Sequence, residues 1–325
     1  MLISIIIPCY NGEAVVNRAI SSVFLQEYPK VELVVVDDGS TDDSKDVICS
    51  WQPKFEEKGW LLKYVYQENK GLGGAINTGL KHITGDYMML LDADDEYLAG
   101  AVAKLSEYLN AHPECDVVRA NGWVVRGEHR HLFVYEKEEK ECRDIFVPLL
   151  RGETCNWAGS YMVRTKALFA FYPESEIYTS RFGQNLQILL PLTYGKPSGF
   201  IDEPIMNYIQ EGESLSRVTD EAAAKKRSLD NAAGYRDIRL HVLGQIVHDA
   251  KIRNMYLRQI DGAYWRYIMQ IADEHTDIGL LKDAYARLCK EEKPQLRDKI
   301  RRYRRTAPII AFLLRVYGKL KRMIG

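Results

Sequence analysis

The sequence predicts an α/β protein: a doubly wound, mostly parallel, Rossmann-like sheet with an appended helical region. Three observations predict it. Apolar runs of strand length alternate with segments of helical spacing four times in the first ~115 residues, the pattern of a parallel sheet with crossover helices. Several runs end in acidic or glycine-rich turns, where open α/β sheets bind ligands. From about residue 219, glycine and proline become sparse while apolar residues keep a helical period.

Leu2-Ile3-Ser4-Ile5-Ile6-Ile7-Pro8 reads as a buried strand, closed by Pro8 because proline has no N–H for the ladder. Val15, Val16, Ala19, Ile20, Val23 and Phe24 recur at helical spacing over 14–27, before Pro29. Val31 to Val36 is a second strand. In the turn Asp37-Asp38-Gly39-Ser40-Thr41-Asp42, the Ser and Asp residues can cap a helix running to about Trp51. Leu61 to Tyr66 is a third strand, and Asn69-Lys70-Gly71-Leu72-Gly73-Gly74 is a glycine-rich loop feeding a helix through Lys81. A fourth apolar run follows Gly85 and ends in Asp92-Ala93-Asp94-Asp95. A helix over 100–111 precedes Pro113, and Val117-Val118 begins another strand. Trp123 to Arg126 and His131 to Tyr135 suggest a hairpin, and the charge run at 136–141 a solvated loop or helix face. Ser160 to Arg164 and Gly199 to Ile201 read as strands, with a leucine-rich helix at 184–194 between them. The expected division is 1–215 for the α/β domain and 216–325 for the helical region.

Composition narrows the function classes. A chain of 325 residues has ample core for one large or two ordinary domains. The net charge of −1 gives no global field for nucleic acid, and no nucleic-acid partner is expected. The six cysteines are scattered with no Cys-x-x-Cys pair, which favours reduced, buried thiols over a disulfide framework or a zinc site. Leu2 to Pro8 is too short for a secretory h-region, and Ala307 to Leu314 is far shorter than the roughly 20 residues of a spanning helix. A cytoplasmic protein is expected.

The acidic turn carries the first chemical signal. Carboxylates clustered at the end of a buried strand repel one another unless a cation sits among them. A hard divalent cation, held by Asp oxygens and shared with a diphosphate, is one reading; a solvated acidic turn is the other.

Taken together, Pro8-Cys9-Tyr10-Asn11, Val35-Val36-Asp37-Asp38-Gly39-Ser40-Thr41-Asp42, the glycine loop with Asn77-Thr78-Gly79, and Asp92-Ala93-Asp94-Asp95 resemble the family 2 glycosyltransferases of GT-A fold, over about residues 1–210. The resemblance implies transfer of a sugar from a nucleotide diphosphate sugar, commonly of uridine, with Mg²⁺ or Mn²⁺ bridging the diphosphate. Pro8, Tyr10 and Asn11 would line the base and ribose pocket, and Asp38 would accept from the base; a helix cap is the alternative for Asp38. Asp92, with Ala93, would face the ribose or donor sugar, and Asp94 would ligate the metal. Gly71, Gly73 and Gly74 fit turn geometry better than a phosphate cradle, with Gly71 and Asn77 near the donor. The implied acceptor is a saccharide or polyprenyl-linked sugar in surface-polysaccharide synthesis, and the implied outcome is inversion. A nucleotidyltransferase would instead carry a basic, glycine-rich loop after the first strand.

Two departures stand out. Ile76 occupies the place where the family usually has Arg, so a contact to the donor phosphates is missing or comes from Lys70. The family's Glu-Asp pair, whose Asp deprotonates the acceptor, reads Gln184-Asn185 here, and neither amide can take a proton at neutral pH. General-base help is worth about 10²–10⁴ in rate. Glu174, Glu176, Asp202 or Glu203 could substitute; alternatively Gln184 and Asn185 only bind the acceptor, or the chain is a weak or non-catalytic nucleotide-sugar binder. Asn156-Trp157-Ala158-Gly159 could form part of the acceptor wall.

The tail is basic. From Arg297 to Gly325 there are ten Lys or Arg against one acid, interleaved with Ile309, Ile310, Phe312, Leu313, Leu314, Val316, Tyr317 and Leu320. That pattern suits peripheral contact with an anionic membrane surface on the inner face of the cell membrane; a charged helix packed on its own domain is the alternative. Arg301 to Arg305 could hold a lipid diphosphate or form a solvated basic face.

Overall fold

The computed structural model describes residues 1–210 and 220–324, with side chains to Lys319. The expected boundary at 215/216, and the side chains of Leu320, Lys321 and Arg322 in the basic tail, lie outside the described residues. The chain divides into two compact units: Met1–Leu149 with Glu153–Ser214, and Leu150–Gly152 with Leu215–Gly325.

In chain order the first unit contains β1 (Ile3–Cys9), α1 (Val16–Phe24), β2 (Val31–Asp37), α2 (Ser44–Cys49), α3 (Gln52–Glu57), β3 (Leu61–Tyr66), α4 (Gly71–Leu80), β4 (Tyr87–Leu90) and β5 (Glu96–Tyr97). It continues through α5 (Ala101–Ala111), β6 (Val117–Arg126), β7 (His129–Leu132), α6 (Lys137–Glu141), α7 (Phe146–Arg151), β8 (Tyr161–Arg164), α8 (Thr165–Phe171), α9 (Gln184–Thr193) and β9 (Ser198–Ile209), with the end of α7 grouped in the second unit. The sheet order is β3-β2-β1-β4-β8-β6-β9-β5, with β7 on β6. The first four strands are mutually parallel, as the alternating pattern predicts. β8 runs antiparallel to both β4 and β6, so the second half is mixed.

One connection shapes the functional region. β5 follows β4 after only five residues, yet it lies at the far end of the strand order, paired with β9. Five residues span at most about 18 Å, so the sheet must curl until β9 meets the end of β4. Tyr97 Oη donates to Leu90 O at 3.0 Å, and Leu98 N donates to Ile205 O at 2.7 Å, closing that curl. The acidic turn is the segment that crosses it.

Several boundaries differ from the sequence reading for identifiable reasons. β1 continues through Pro8 to Cys9, because β4 pairs only with Ile3 to Ile6 and beyond that point β1 has β2 alone as neighbour. No side-chain cap bond comes from Asp43 at the start of α2; Asp42 instead accepts from Ser44 N at 3.1 Å. The β6–β7 hairpin turns at Gly127-Glu128, pairing Arg126 with His129, earlier than expected. β9 runs on past Ile201 because a register shift at Asn121 absorbs Pro204. Three cysteines are buried as expected (Cys9, Cys115 and Cys155), but Cys49 and Cys142 are half-buried and Cys289 is exposed.

The second unit contains α10 (Glu221–Ile246), α11 (Ala250–Glu274), α12 (Ile278–Glu291), α13 (Leu296–Arg304) and α14 (Pro308–Ile324). Asp220, Asp249 and Asp277 cap α10, α11 and α12 through bonds of 2.7, 2.8 and 2.9 Å to backbone N–H groups. A separate core forms around Ile268, Met269, Ile271, Leu281 and Leu288. The basic run at α13 is largely structural: Arg305 donates to Asp273 Oδ1 at 3.0 Å, Arg304 bonds the same carboxylate and Arg301 lies 3.8 Å from it. Arg304 and Arg305 remain exposed, so they pair with Asp273 and also face solvent. α14 differs. Ala311 and Gly318 face inward, while Ile309, Phe312, Leu313, Val316 and Tyr317, spaced i, i+3, i+4, i+7 and i+8, are exposed. Among the described residues, no helix is long and apolar enough to cross a membrane.

Candidate active site

The crevice lies at the carboxyl ends of β1, β2 and β4. The chain moves outward from β1 to β2 and β3, then returns to β4 on the other side of β1. That reversal is the topological switch point at which such sheets bind ligands.

The turns after β1 and β2 are tied together. Asn11 adopts a left-handed conformation with φ 48°, its Oδ1 accepts from Thr41 N at 2.9 Å, and its own N donates to Ser40 Oγ at 2.9 Å. Tyr10 is left on the rim, 54% exposed. Asp38 is buried, and its Oδ1 accepts from Gln67 Nε2 at 2.6 Å and Lys70 N at 2.8 Å. It is therefore not the cap of α2; it anchors the glycine loop to the end of β2. Gly73 has no side chain because Ser180 O stands 2.9 Å from where its Cβ would be. The glycine loop is thus shaped by close approach of the 178–184 segment, in line with turn geometry. Ile76 is buried in the core and Lys70 is exposed.

The acidic turn is electrostatically loaded. Asp92 is half-buried, Asp94 exposed and Asp95 fully buried. Burial, then the Asp94 charge, pushes the Asp92 carboxyl up to about 7. Burial and the neighbouring Asp92 push Asp95 up to about 9, against an opposing bond of 2.9 Å from Ile209 N to its Oδ1. Asp95 Oδ2 is buried with no hydrogen-bond partner among the described residues. From α1, Arg18 Nη2 donates to Asp94 O at 2.6 Å and sets the turn from the opposite side. The buried phenols of Tyr97 and Tyr161 are held well above their usual range by burial and by Asp92.

These residues fit a hard divalent cation. They offer carboxylate oxygen, the turn is unfavourable when all three charges are formed, and a buried oxygen lacks a partner. Among the described residues no three His, Cys, Asp or Glu side chains are grouped to enclose an ion. Mg²⁺ and Mn²⁺ need only one or two carboxylates where substrate phosphates complete the shell.

The opposite wall comes from distant sequence. Buried Asn77 donates from Nδ2 to Ile177 O at 2.9 Å and accepts from Ile177 N at 2.9 Å. With its amide so engaged, its effect on a donor would run through the 177–183 segment. Gln184, buried at the start of α9 after left-handed Gly183, donates to Ser180 O at 2.7 Å. Asn185 Oδ1 accepts from Tyr161 Oη at 2.7 Å, and Tyr161 in turn senses Asp92. Asn185 therefore stands one side chain away from the acidic turn. Trp157 stacks on Phe133 at 5.2 Å and meets the edge of Tyr208 at 4.3 Å; Tyr208 is raised by burial and by Asp95 and Asp92. The substitute carboxylates are engaged elsewhere. Glu176 pairs with Lys81, Asp202 with Lys140 at 2.8 Å, and Glu203 with Lys104. Glu174 is exposed.

Sequence reasoning missed Arg18, Asp95, Tyr161 and Tyr208. Arg18 sits on an amphipathic helix and Tyr161 inside an apolar strand, so only the sheet topology reveals their neighbours. The sole available signal was Asp95, the third acid of the turn.

The curled sheet, its switch-point crevice and the following helices define a GT-A fold. Residues 4–169 match the model of Glycosyl transferase family 2, and the chain belongs to that family. An uncharacterized glycosyltransferase, alr2836, of Nostoc sp. is 42% identical over 140 residues, covering 43% of this chain and 39% of that protein. The GalNAc(5)-diNAcBac-PP-undecaprenol beta-1,3-glucosyltransferase of Campylobacter jejuni is 33% identical over 108 residues, covering 33% of this chain and 34% of that one. The matches span less than half the length of these curated relatives. Among solved structures, S. aureus TarS 1-349 in complex with UDP-GlcNAc aligns with TM-score 0.60 at 16% identity, over 90% of this chain and 89% of that one.

Proposed function

We propose that this protein is a metal-dependent glycosyltransferase that moves a sugar from a nucleotide diphosphate sugar, with UDP as the nucleotide, to a saccharide or polyprenyl-linked acceptor, with inversion. The observation that carries the reading is the acidic turn. Three carboxylates, two of them with raised affinity for protons and one with a partnerless buried oxygen, lie at the switch point beside the Asp38 turn. Asp38 would accept the base N–H, with Pro8, Tyr10 and Asn11 framing base and ribose. Asp92 and Ala93 would face the ribose and sugar. Asp94 would hold Mg²⁺ or Mn²⁺, which when bound stabilises the charge growing on the leaving diphosphate as a Lewis acid. Gly71 and Asn77 would shape the donor wall, Asn77 by fixing Ile177.

Trp157, Gln184 and Asn185 would form the acceptor side. Glu176, Asp202 and Glu203 are each paired to a lysine, so the amides of Gln184 and Asn185 would position the acceptor while exposed Glu174, or water, takes the proton of its hydroxyl. The Campylobacter relative's name includes a polyprenyl diphosphate-linked acceptor, and TarS holds UDP-GlcNAc; both support the substrate classes proposed. The exposed apolar stripe of α14, flanked by Arg315 and Lys319, supports peripheral contact with an anionic membrane on its inner, cytoplasmic face. A second reading, nucleotide-sugar binding with weak or no catalysis, is favoured by one observation: an amide accepts the Tyr161 hydroxyl where the family places its base.

A screen of nucleotide sugars for diphosphate release and thermal stabilisation, with and without Mn²⁺, separates the two. Release with any acceptor supports the transferase; stabilisation without release from any donor supports the binder.

A further inference from the structure

The acidic turn has little regular structure of its own. Asp95 N donates to Asp92 O at 3.1 Å inside it, and the short strand β5 that follows lies at the end of the strand order, paired with β9. Its other support comes from α1. The apolar face of that helix, Val16, Ala19, Ile20 and Val23, is buried in the core. Arg18 and Ser22 on α1, and Gln26 just past its end, follow one another at steps of four residues. All three bond the main chain of the segment that begins in the acidic turn. Arg18 Nη2 donates to Asp94 O at 2.6 Å, Ser22 Oγ accepts from Tyr97 N at 3.0 Å, and Gln26 Nε2 donates to Leu98 O at 2.9 Å. Gln26 Oε1 also accepts from Val102 N at 3.3 Å in the first turn of α5. The stripe is braced on its own backbone, because Gln26 Nε2 donates to Ser22 O at 3.0 Å and Ser22 Oγ to Ala19 O at 2.7 Å. Ser22 and Gln26 are buried, and buried polar groups are costly unless they are bonded in this way.

We propose that Arg18, Ser22 and Gln26 are positioning residues for glycosyl transfer: they hold the acidic turn in the arrangement in which its carboxylates accept a divalent cation and the nucleotide diphosphate bound to it. The inference rests on the cation reading under Proposed function and extends it to a helix that touches neither ligand. Mg²⁺ demands near-ideal octahedral geometry, so small displacements of a ligand carboxylate cost affinity, and the groups that orient the ligands matter nearly as much as the ligands. The bond from Arg18 falls on the Asp94 carbonyl, so it orients that residue without drawing on its carboxylate. Ser22 and Gln26 carry no charge, so their contribution to the turn is geometry alone.

The test combines two measurements on the full chain. Calorimetric titration of UDP with Mn²⁺ present reads the affinity, and hydrogen exchange over residues 92–98 of the ligand-free chain reads the order of the turn. Arg18→Met, which keeps the length but loses the charge and the donors, should weaken UDP binding about tenfold or more, and Ser22→Ala about threefold. Arg18→Lys should fall between Arg18→Met and the wild type. Exchange should quicken in the same order. Val23→Ala, on the apolar face of the same helix, should lower the melting temperature and leave UDP affinity unchanged. Wild-type affinity in both Arg18→Met and Ser22→Ala would overturn the proposal. So would weaker binding without faster exchange, which would mean that Arg18 meets the nucleotide directly, or a loss in Val23→Ala as large as in Arg18→Met. Each of these outcomes leaves the cation reading standing as long as the wild type needs Mn²⁺ to bind UDP. Wild-type affinity that ignores Mn²⁺ would remove the cation reading and this inference with it.

Discussion

The two walls of the crevice are built in different ways. The wall proposed for the donor consists of turns at the ends of adjacent parallel strands, and its polar groups bond to near neighbours in the sheet: Asn11 to the Ser40-Thr41 turn, Asp38 to Gln67 and Lys70. The wall proposed for the acceptor is assembled from segments about 100 residues apart, as in the Asn77–Ile177 pair, and from a tyrosine on β8 that meets the first turn of α9. The first wall gathers three carboxylates with Arg18 acting on Asp95, while the second is lined mainly by amides bonded to its own backbone and to Tyr161. A region that leaves a buried carboxylate oxygen without a partner is built for something it does not itself contain. A region whose amides are bonded internally is suited to holding shape.

The largest way to break that contrast is Asp94→Ala. It should reduce metal-dependent diphosphate release by about 10²–10³-fold or more, the scale for losing a main electrostatic stabiliser of the transition state; an unaffected rate would end the assignment of Asp94. Next is the charge of the donor wall itself. Asp92 and Asp95 bind protons more tightly in the folded chain, up to about 7 and 9 against the ordinary 3.8. The folded state therefore carries more protons than the unfolded one across that window, so stability should fall as pH rises from about 4 to 9. Mn²⁺ or Mg²⁺ should flatten that fall in thermal melts. A pH profile with the same slope with and without metal would show that the cation does not sit on these carboxylates.

On the acceptor wall, Asn77→Ala removes two buried bonds to Ile177 and should cost about 2–3 kcal/mol in denaturant unfolding. Tyr161→Phe and Asn185→Ala should each cost about 1 kcal/mol. Because they share one hydrogen bond, their double-variant cost should fall short of the sum; full additivity would mean the bond contributes nothing. The smallest effect concerns α14. Removing residues after 296 should reduce pelleting with anionic vesicles at low salt, where screening is weak, and unchanged pelleting would remove membrane contact from the account.

The same contrast explains what could be read from the chain. The parallel half of the sheet was legible because each strand is a continuous apolar run ending in a turn that keeps its chemistry in a few adjacent letters. Asp38 and the acidic turn could be placed in one crevice from order and spacing alone. The curl that brings β9 over the end of β4 was not legible, because β9 holds Asp202, Glu203 and Pro204 in mid-strand and depends on a bulge at Asn121. Arg18, Tyr161 and Tyr208 depend on that curl, so they looked like ordinary helix and strand residues. In the basic tail, three arginines at the end of α13, Arg301, Arg304 and Arg305, gather at Asp273, a partner 28 or more residues away that spacing does not reveal, while α14 exposes an apolar stripe among the described residues.

The central claim is that the acidic turn holds a divalent cation shared with a nucleotide diphosphate. The most direct measurement is calorimetric titration of UDP into the full chain, with Mn²⁺ and with chelator, in wild type and Asp94→Ala. The account predicts binding that needs Mn²⁺ in the wild type and loses that dependence in Asp94→Ala. Equal affinity with Mn²⁺ and with chelator in the wild type would contradict it.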